Sequence, residues 1–257
     1  MTINQALEIL CRVGDVHSAR VITDNMPHLT RFGVWRAARA LRRGVPVAKI
    51  IHQKWFYGLK FYTNKYTLDP RPDTETLVES VISDTLTTPN ILDIGTGTAC
   101  IISALVKNVR GAHGVGMDVS RGAVRVARRN IKNLGIDDKV KIIRASFNNP
   151  RAVTGRFDII VSNPPYIAHG DPRVDAGARH DPRIALYASH NGNAAYEQIA
   201  QNACEWIKPG GRIYLEIGRG AMRNVRKIFR DAGWTFVRAD RDLGHIVRVL
   251  VFKVSTK

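Results

Sequence analysis

Residues 162–166 read Ser-Asn-Pro-Pro-Tyr and close a β-branched apolar run, Ile159-Ile160-Val161. The run is short and bounded, as a buried strand is. Pro164 and Pro165 have no N–H to give to a ladder, so the strand must stop there. A stiff loop then leaves the strand end, carrying the Asn163 amide, two proline carbonyls and the Tyr166 ring. That set suits a planar NH2 group. The Asn163 oxygen and the Pro164 carbonyl each accept one N–H, and Tyr166 covers the flat face. Asn-Pro also starts many turns that bind nothing, so the loop needs a second motif before it carries a function.

A second loop begins upstream, where Ile91-Leu92-Asp93-Ile94 breaks into Gly95-Thr96-Gly97-Thr98-Ala99 and a helical apolar pattern follows (Ile101, Ile102, Ala104, Leu105). Glycines let the backbone turn tightly and approach a ligand closely, and a helix start offers free N–H groups. The third glycine of the dinucleotide fingerprint is missing, with Ala99 nearby instead, and the Lys-Ser/Thr pair of a phosphate-cradling loop is absent. Gly114-Val115-Gly116-Met117-Asp118 is a further strand that ends in an acid. An acid there can take both hydroxyls of a ribose. The competing reading is an acid at the start of the helix that follows Ser120, and the ribose role is the one favoured. These pieces describe a nucleoside site without a phosphate anchor, beside a clamp for a flat amine. Ligands of open α/β sheets bind at the carboxyl ends of the strands, so both loops open on one edge. The combination suggests S-adenosylmethionine as cofactor and methyl transfer to nitrogen.

The chain resembles the HemK/PrmC-type family, the glutamine N(5)-methyltransferases of peptide chain release factors. The resemblance rests on Trp55 to Phe61, on Pro70-Arg71-Pro72-Asp73-Thr74-Glu75, on Ile91 to Ala99, on Phe157 to Ile167 and on Leu215-Glu216-Ile217-Gly218. It implies cofactor binding by Gly95, Thr96, Gly97, Thr98, Ala99, Asp118 and Phe147, with Asn163 beside them. It also implies that Asn163, Pro164, Pro165 and Tyr166 hold a substrate glutamine, that of the Gly-Gly-Gln motif of class I release factors. Ala99 stands where the family usually has Gly. Ser146 stands where it usually has an acid beside the adenine, which implies weaker cofactor binding. Thr67-Leu68-Asp69-Pro70 departs from an apolar run.

Around these loops the chain alternates helix and strand. Helices are expected over 73–86, 98–108, 120–134, 193–207 and 220–232. Strands are expected over 90–94, 113–117, 140–144, 157–162, 211–217, 234–239 and 246–253. The reading is α/β: a doubly wound, mostly parallel seven-stranded sheet of the class I S-adenosylmethionine-dependent methyltransferase type, with an antiparallel edge. A small helical domain precedes it, with helices over 3–13, 17–26 and 30–43. The expected division is 1–53 helical and substrate-binding, 54–69 a β-hairpin linker, and 70–257 the methyltransferase domain. Residues 167–192 form a long polar loop, in which Asp171-Pro172-Arg173 is echoed by Asp181-Pro182-Arg183. Loops of that length usually serve a function or move.

Among 257 residues, 39 basic and 22 acidic side chains leave a formal charge of +17. Such a surface meets polyanions or acidic proteins, and ribosome or nucleic-acid contact fits it; a compositional bias of the lineage fits it too. Arg121, Arg125, Arg128 and Lys132 share one helix face, read as a solvated one. Cys11, Cys100 and Cys204 lack Cys-x-x-Cys spacing. They point to buried thiols in a reducing cytoplasm and to no metal site. Neither a secretory leader nor a membrane span is expected, and a monomer is. The scattered histidines form no catalytic set.

Two other functions compete. A nucleic-acid amino-methyltransferase acting on adenine or guanine also needs a planar-amine clamp and a basic surface. A non-catalytic ribosome-associated factor would explain Ala99 and Ser146.

Overall fold

The computed structural model describes residues 1–26, 28, 30–84, 87–171 and 176–254. Helices α1 (Ile3–Cys11), α2 (Val16–Asn25) and α3 (Arg31–Arg42) each start where the sequence supplies a cap. Thr2, Asp15 and Thr30 accept the N–H groups of Gln5, Ser18 and Gly33. A fourth helix, α4 (Val47–Ile51), follows Pro46. Five residues are too few to print a 3.6-residue period, so it escapes a reading by pattern. Leu10, Ile22 and Val34 meet in a hydrophobic cluster belonging to these helices alone. Cys11 is exposed and Cys204 half-buried, so only Cys100 is the buried thiol expected of all three. Cys11 follows the buried Leu10, and one step turns a helical side chain about 100° away from its neighbour.

Strands β1 (Gln53–Phe56) and β2 (Leu59–Tyr62) form the expected hairpin. Its two-residue turn has positive φ at both Tyr57 (49°) and Gly58 (70°), the mirror-image turn that matches strand twist and that Gly permits. The hairpin is latched to the next layer. Asn130 donates from Nδ2 to the Tyr62 carbonyl (2.9 Å) and accepts the Tyr62 N–H at Oδ1 (2.8 Å).

The segment expected as a helix over 73–86 is a 3-10 turn, Pro72–Thr74, running into α5 (Glu75–Ser83); positions 85 and 86 lie outside the described residues. Then follow β3 (Asn90–Ile94), α6 (Cys100–Asn108), β4 (His113–Asp118), α7 (Arg121–Asn133), β5 (Val140–Arg144) and β6 (Phe157–Ser162). The rest comprises β7 (Ile167–Ala168), α8 (Arg183–Leu186), β8 (Tyr187–Ala188), α9 (Ala194–Asn202), β9 (Ile207–Glu216), α10 (Met222–Asp231), β10 (Trp234–Arg241) and β11 (Val247–Val254). The seven-stranded sheet runs β10-β11-β9-β6-β3-β4-β5. Its pairs are parallel from β9 through to β5, while β11 is antiparallel to both neighbours, the expected edge.

Strand β9 starts four residues before the expected 211. Ile207 opposes Phe157 and Arg212 opposes Ile159, so Pro209-Gly210-Gly211 sits in a bulge between them. Helix α9 is correspondingly shorter than expected, closing in a 3-10 turn at Ala203–Glu205. Residues 167–192 also carry more order than a loop: β7 and β8 pair in parallel and α8 lies between them. Pro172 and Arg173 lie outside the described residues. On α7 the basic face is exposed as expected, but Arg128 also donates to the Ile142 carbonyl at 2.9 Å. Among the described residues, no helix is long and apolar enough to cross a membrane.

Candidate active site

After β3 the chain runs outward to β4 and β5, then returns to lay β6 on the other side of β3. At this reversal the connections splay apart and leave a crevice at the carboxyl ends of the strands. The glycine loop leaves β3 there and the Asn163 loop leaves β6. Between them lies a cavity of about 360 Å³.

The glycine loop is tied to β4. The Met117 carbonyl accepts the N–H groups of both Gly95 and Thr96 at 2.9 Å, and the Asp118 carboxylate accepts the Gly97 N–H at 3.0 Å. Gly95 and Gly97 have φ of 72° and 55°, and a Cβ at Gly95 would stand in open space. The room a side chain would fill is left to a ligand. Asp118 also accepts the Ser120 N–H, at 2.8 Å, which is the helix-start role. It serves the helix start and still lines the cavity. Burial raises its pKa, opposed by those two N–H groups. The oriented oxygens keep lone pairs for ribose hydroxyls. Phe147 and Val119 add apolar wall. This donor set fits S-adenosylmethionine: close backbone, a diol acceptor, an apolar slot and no phosphate cradle. Beneath the loop, Asp93 accepts the Thr96 hydroxyl at 2.6 Å, and burial pushes its carboxyl up to about 7. Cys100 faces the same cavity with its thiol pushed up to about 12 by burial, so it is no nucleophile.

Ala99 occupies a left-handed conformation, φ 64° and ψ 25°. Only glycine adopts this freely, and an alanine there costs about 1–2 kcal/mol. Ala99 is fully buried, which returns about 0.8 kcal/mol for its methyl, and a glycine would add chain entropy of about 0.5–1 kcal/mol. The terms nearly cancel, so Ala is tolerated. Ala99→Gly is expected to change stability by less than about 1 kcal/mol in urea unfolding.

Ser146 lines the cavity, and its hydroxyl accepts the Asn148 N–H at 3.2 Å. An acid here would add a charged acceptor, worth about 1.5 kcal/mol or more. Ser146→Asp is expected to tighten S-adenosylhomocysteine binding about tenfold by calorimetry.

On the opposite wall, Asn163 donates from Nδ2 to the Thr74 hydroxyl oxygen at 3.1 Å. In this orientation Oδ1 is not used by Thr74. Asn163 and Pro165 line the cavity, whereas Pro164 is buried and Tyr166 does not line it. The Tyr166 ring lies against Gly218, where a Cβ would come within 2.9 Å of it. Burial holds its hydroxyl above the usual tyrosine range. Thr74 carried no flag in the sequence beyond its place in the Pro-Arg-Pro-Asp-Thr-Glu segment; its role needs an element 89 residues away.

Residues from 182 to 188, including Ile184 and Tyr187, complete the wall. A buried ionic cluster anchors them. Lys49 of α4, 7% exposed, meets Asp69 at 2.8 Å and Asp181 at 2.9 Å, and Asp181 also takes Arg71 at 2.8 Å. Lys49 further donates to the carbonyls of Asn64 and Thr67. The Thr67–Pro70 departure noted in the sequence therefore has its counterpart in Lys49.

The sequence profile of the Methyltransferase domain family matches residues 88–233. A methyltransferase from Pyrococcus furiosus superposes with a TM-score of 0.59 over 84% of this chain and 96% of its own, at 19% identity. Fold and family define a class I S-adenosylmethionine-dependent methyltransferase. Release factor glutamine methyltransferases of Bradyrhizobium diazoefficiens and Agrobacterium fabrum are 39% and 38% identical to the chain. They match 83% and 82% of it and 75% of their own length in each case. A bifunctional methyltransferase of Rickettsia prowazekii is 37% identical over 80% of this chain and 44% of its own. The chain belongs to the release factor glutamine methyltransferase family, as the resemblance implied.

Proposed function

We propose that the chain methylates the side-chain nitrogen of the Gly-Gly-Gln glutamine of class I peptide chain release factors. One observation carries the reading: Asn163 gives its NH2 to Thr74 and keeps an acceptor for the cavity it shares with the glycine loop. A substrate amide finds one acceptor at Asn163 Oδ1 and a second at the Pro164 carbonyl. A carboxamide nitrogen is a poor nucleophile because its lone pair is delocalised into the carbonyl. Two acceptors on its N–H groups fix its position and raise its electron density. S-adenosylmethionine, when bound, would supply an electrophilic sulfonium methyl group to that nitrogen. The surplus proton leaves the nitrogen for solvent, so no strong base is required. Gly95 to Ala99, Asp118 and Phe147 hold the cofactor in this reading, and Pro165 and Tyr166 shape the loop.

Residues 1–53 form a helical substrate-binding domain, 54–69 the hairpin linker, and 70–257 the methyltransferase domain. A three-residue loop offers too little surface for a specific complex, so the helical domain grips the release factor elsewhere. Arg36, Arg39, Arg42 and Arg43 are exposed on and just after α3, beside the exposed Phe32 and Trp35. They suit acidic patches on a partner, and binding weakens with salt. The protein acts as a cytoplasmic monomer, with its basic surface free for ribosomal contact. The test offers a whole release factor, its isolated loop peptide, ribosomal RNA and DNA as methyl acceptors, read by mass spectrometry. Methylation of the whole factor above the peptide, with none of nucleic acid, is expected. The reverse would establish the amino-methyltransferase of bases instead.

A further inference from the structure

We propose that Glu216 is a positioning residue for methyl transfer, acting through the Thr74 hydroxyl to fix which end of the Asn163 amide faces the substrate. The inference rests on the substrate reading above. Glu216 ends β9, beside the end of β6 from which the Asn163 loop departs. It is 2% exposed, makes no ion pair among the described residues, and its Oε2 has no hydrogen-bond partner among them. A carboxyl left so poorly compensated in a protein interior is costly, and packing alone would be served better by an apolar residue.

Asp73 and Thr74 face it from the 3-10 turn before α5, Tyr166 from the loop after β6, Arg248 from β11, and Cys100 from the start of α6. Tyr196 of α9 donates to the Glu216 backbone carbonyl at 2.9 Å. Arg248 is committed to Asp73 at 2.6 Å and to Asp242 at 2.7 Å. Burial pushes the Glu216 carboxyl up to about 7, against hydrogen bonding from Thr74 and from Tyr166.

Proton counting gives the consequence. Thr74 has one hydroxyl proton. An ionised Glu216 takes it, and the Thr74 oxygen can then only accept, so it receives Asn163 Nδ2 and Oδ1 is left for the substrate. A protonated Glu216 donates to Thr74 instead. The Thr74 proton is then free for Asn163 Oδ1, and the amide turns its NH2 toward the substrate. Donor meets donor, and the substrate N–H is left unpaired.

The test measures single-turnover methyl transfer to a whole release factor between about pH 5.5 and about pH 8.5. It uses saturating S-adenosylmethionine, so that titration of Asp93 under the glycine loop falls in cofactor affinity and not in the rate. The wild-type rate is expected to rise with pH through about 7. Glu216→Gln offers Thr74 an NH2 group and imitates the protonated state. Its rate should be lower on the order of 10²-fold at high pH and flat with pH, with S-adenosylhomocysteine binding retained. Glu216→Asp should keep the rise at a reduced rate. Thr74→Val leaves Glu216 in place and should also flatten the profile, whereas Thr74→Ser should restore it. A wild-type rate or an unchanged rise in Glu216→Gln, or an unchanged rise in Thr74→Val, overturns the proposal alone. A wild type that leaves the release factor unmethylated overturns the substrate reading and this one with it.

Discussion

Asn163→Ala is expected to lower the single-turnover rate of methyl transfer on the order of 10²-fold or more. Affinity for S-adenosylhomocysteine should stay within about twofold, because the role proposed for the residue is to position the substrate amide. Its Oδ1 is left as an acceptor, since Nδ2 is given to Thr74. Removing it leaves a substrate N–H unpaired in a closed site, which costs more than a missing contact in water. The truncated amide also frees the Thr74 oxygen, so neighbouring order is lost with it. Stopped single-turnover assays with the whole release factor separate the two effects. A rate within a few-fold of wild type, with binding unchanged, would remove Asn163 from the reaction.

Lys49→Met is expected to destabilise the chain by about 3–5 kcal/mol, the usual cost of stranding a buried charge by deleting its partner. Lys49 faces two carboxylates, Asp69 and Asp181, of which Arg71 reaches only the second. Without the ammonium, Asp69 keeps, among the described residues, the Thr63 hydroxyl as a donor, at 2.5 Å. Urea unfolding should show a lower midpoint with an unchanged slope. Adding Asp69→Asn should recover a large share of the loss, because the uncompensated charge goes with it. A change below about 1 kcal/mol would mean that the cluster behaves as an exposed pair. The cluster joins α4, the end of the hairpin segment and the 181–188 wall of the cavity. Looser wall residues should therefore accompany the lost stability, seen as faster amide exchange there.

Much of this was legible in the residues themselves. Short apolar runs ending in Gly95 and in Pro164 located β3 and β6, because glycine and proline act on their own backbone whatever surrounds them. Period-2 and period-3.6 patterns are equally local, so the sheet, its edge pair and the three capped helices came through within a few residues. The two loops that border the cavity were found for the same reason. The bulge at Pro209–Gly211 was not, since it depends on what β6 offers across the sheet.

By itself, then, the sequence determined the strand-ending loops, the alternation that makes a doubly wound sheet, and the motif that marks the family. Tertiary structure alone decided the partners of Asn163, Lys49 and Glu216. Thr74 lies 89 positions from Asn163 and Asp181 lies 132 from Lys49. Such pairings are made by packing and leave no period or spacing in the chain. A buried lysine and an exposed one have the same letter, and burial, which sets their energetics, belongs to the fold.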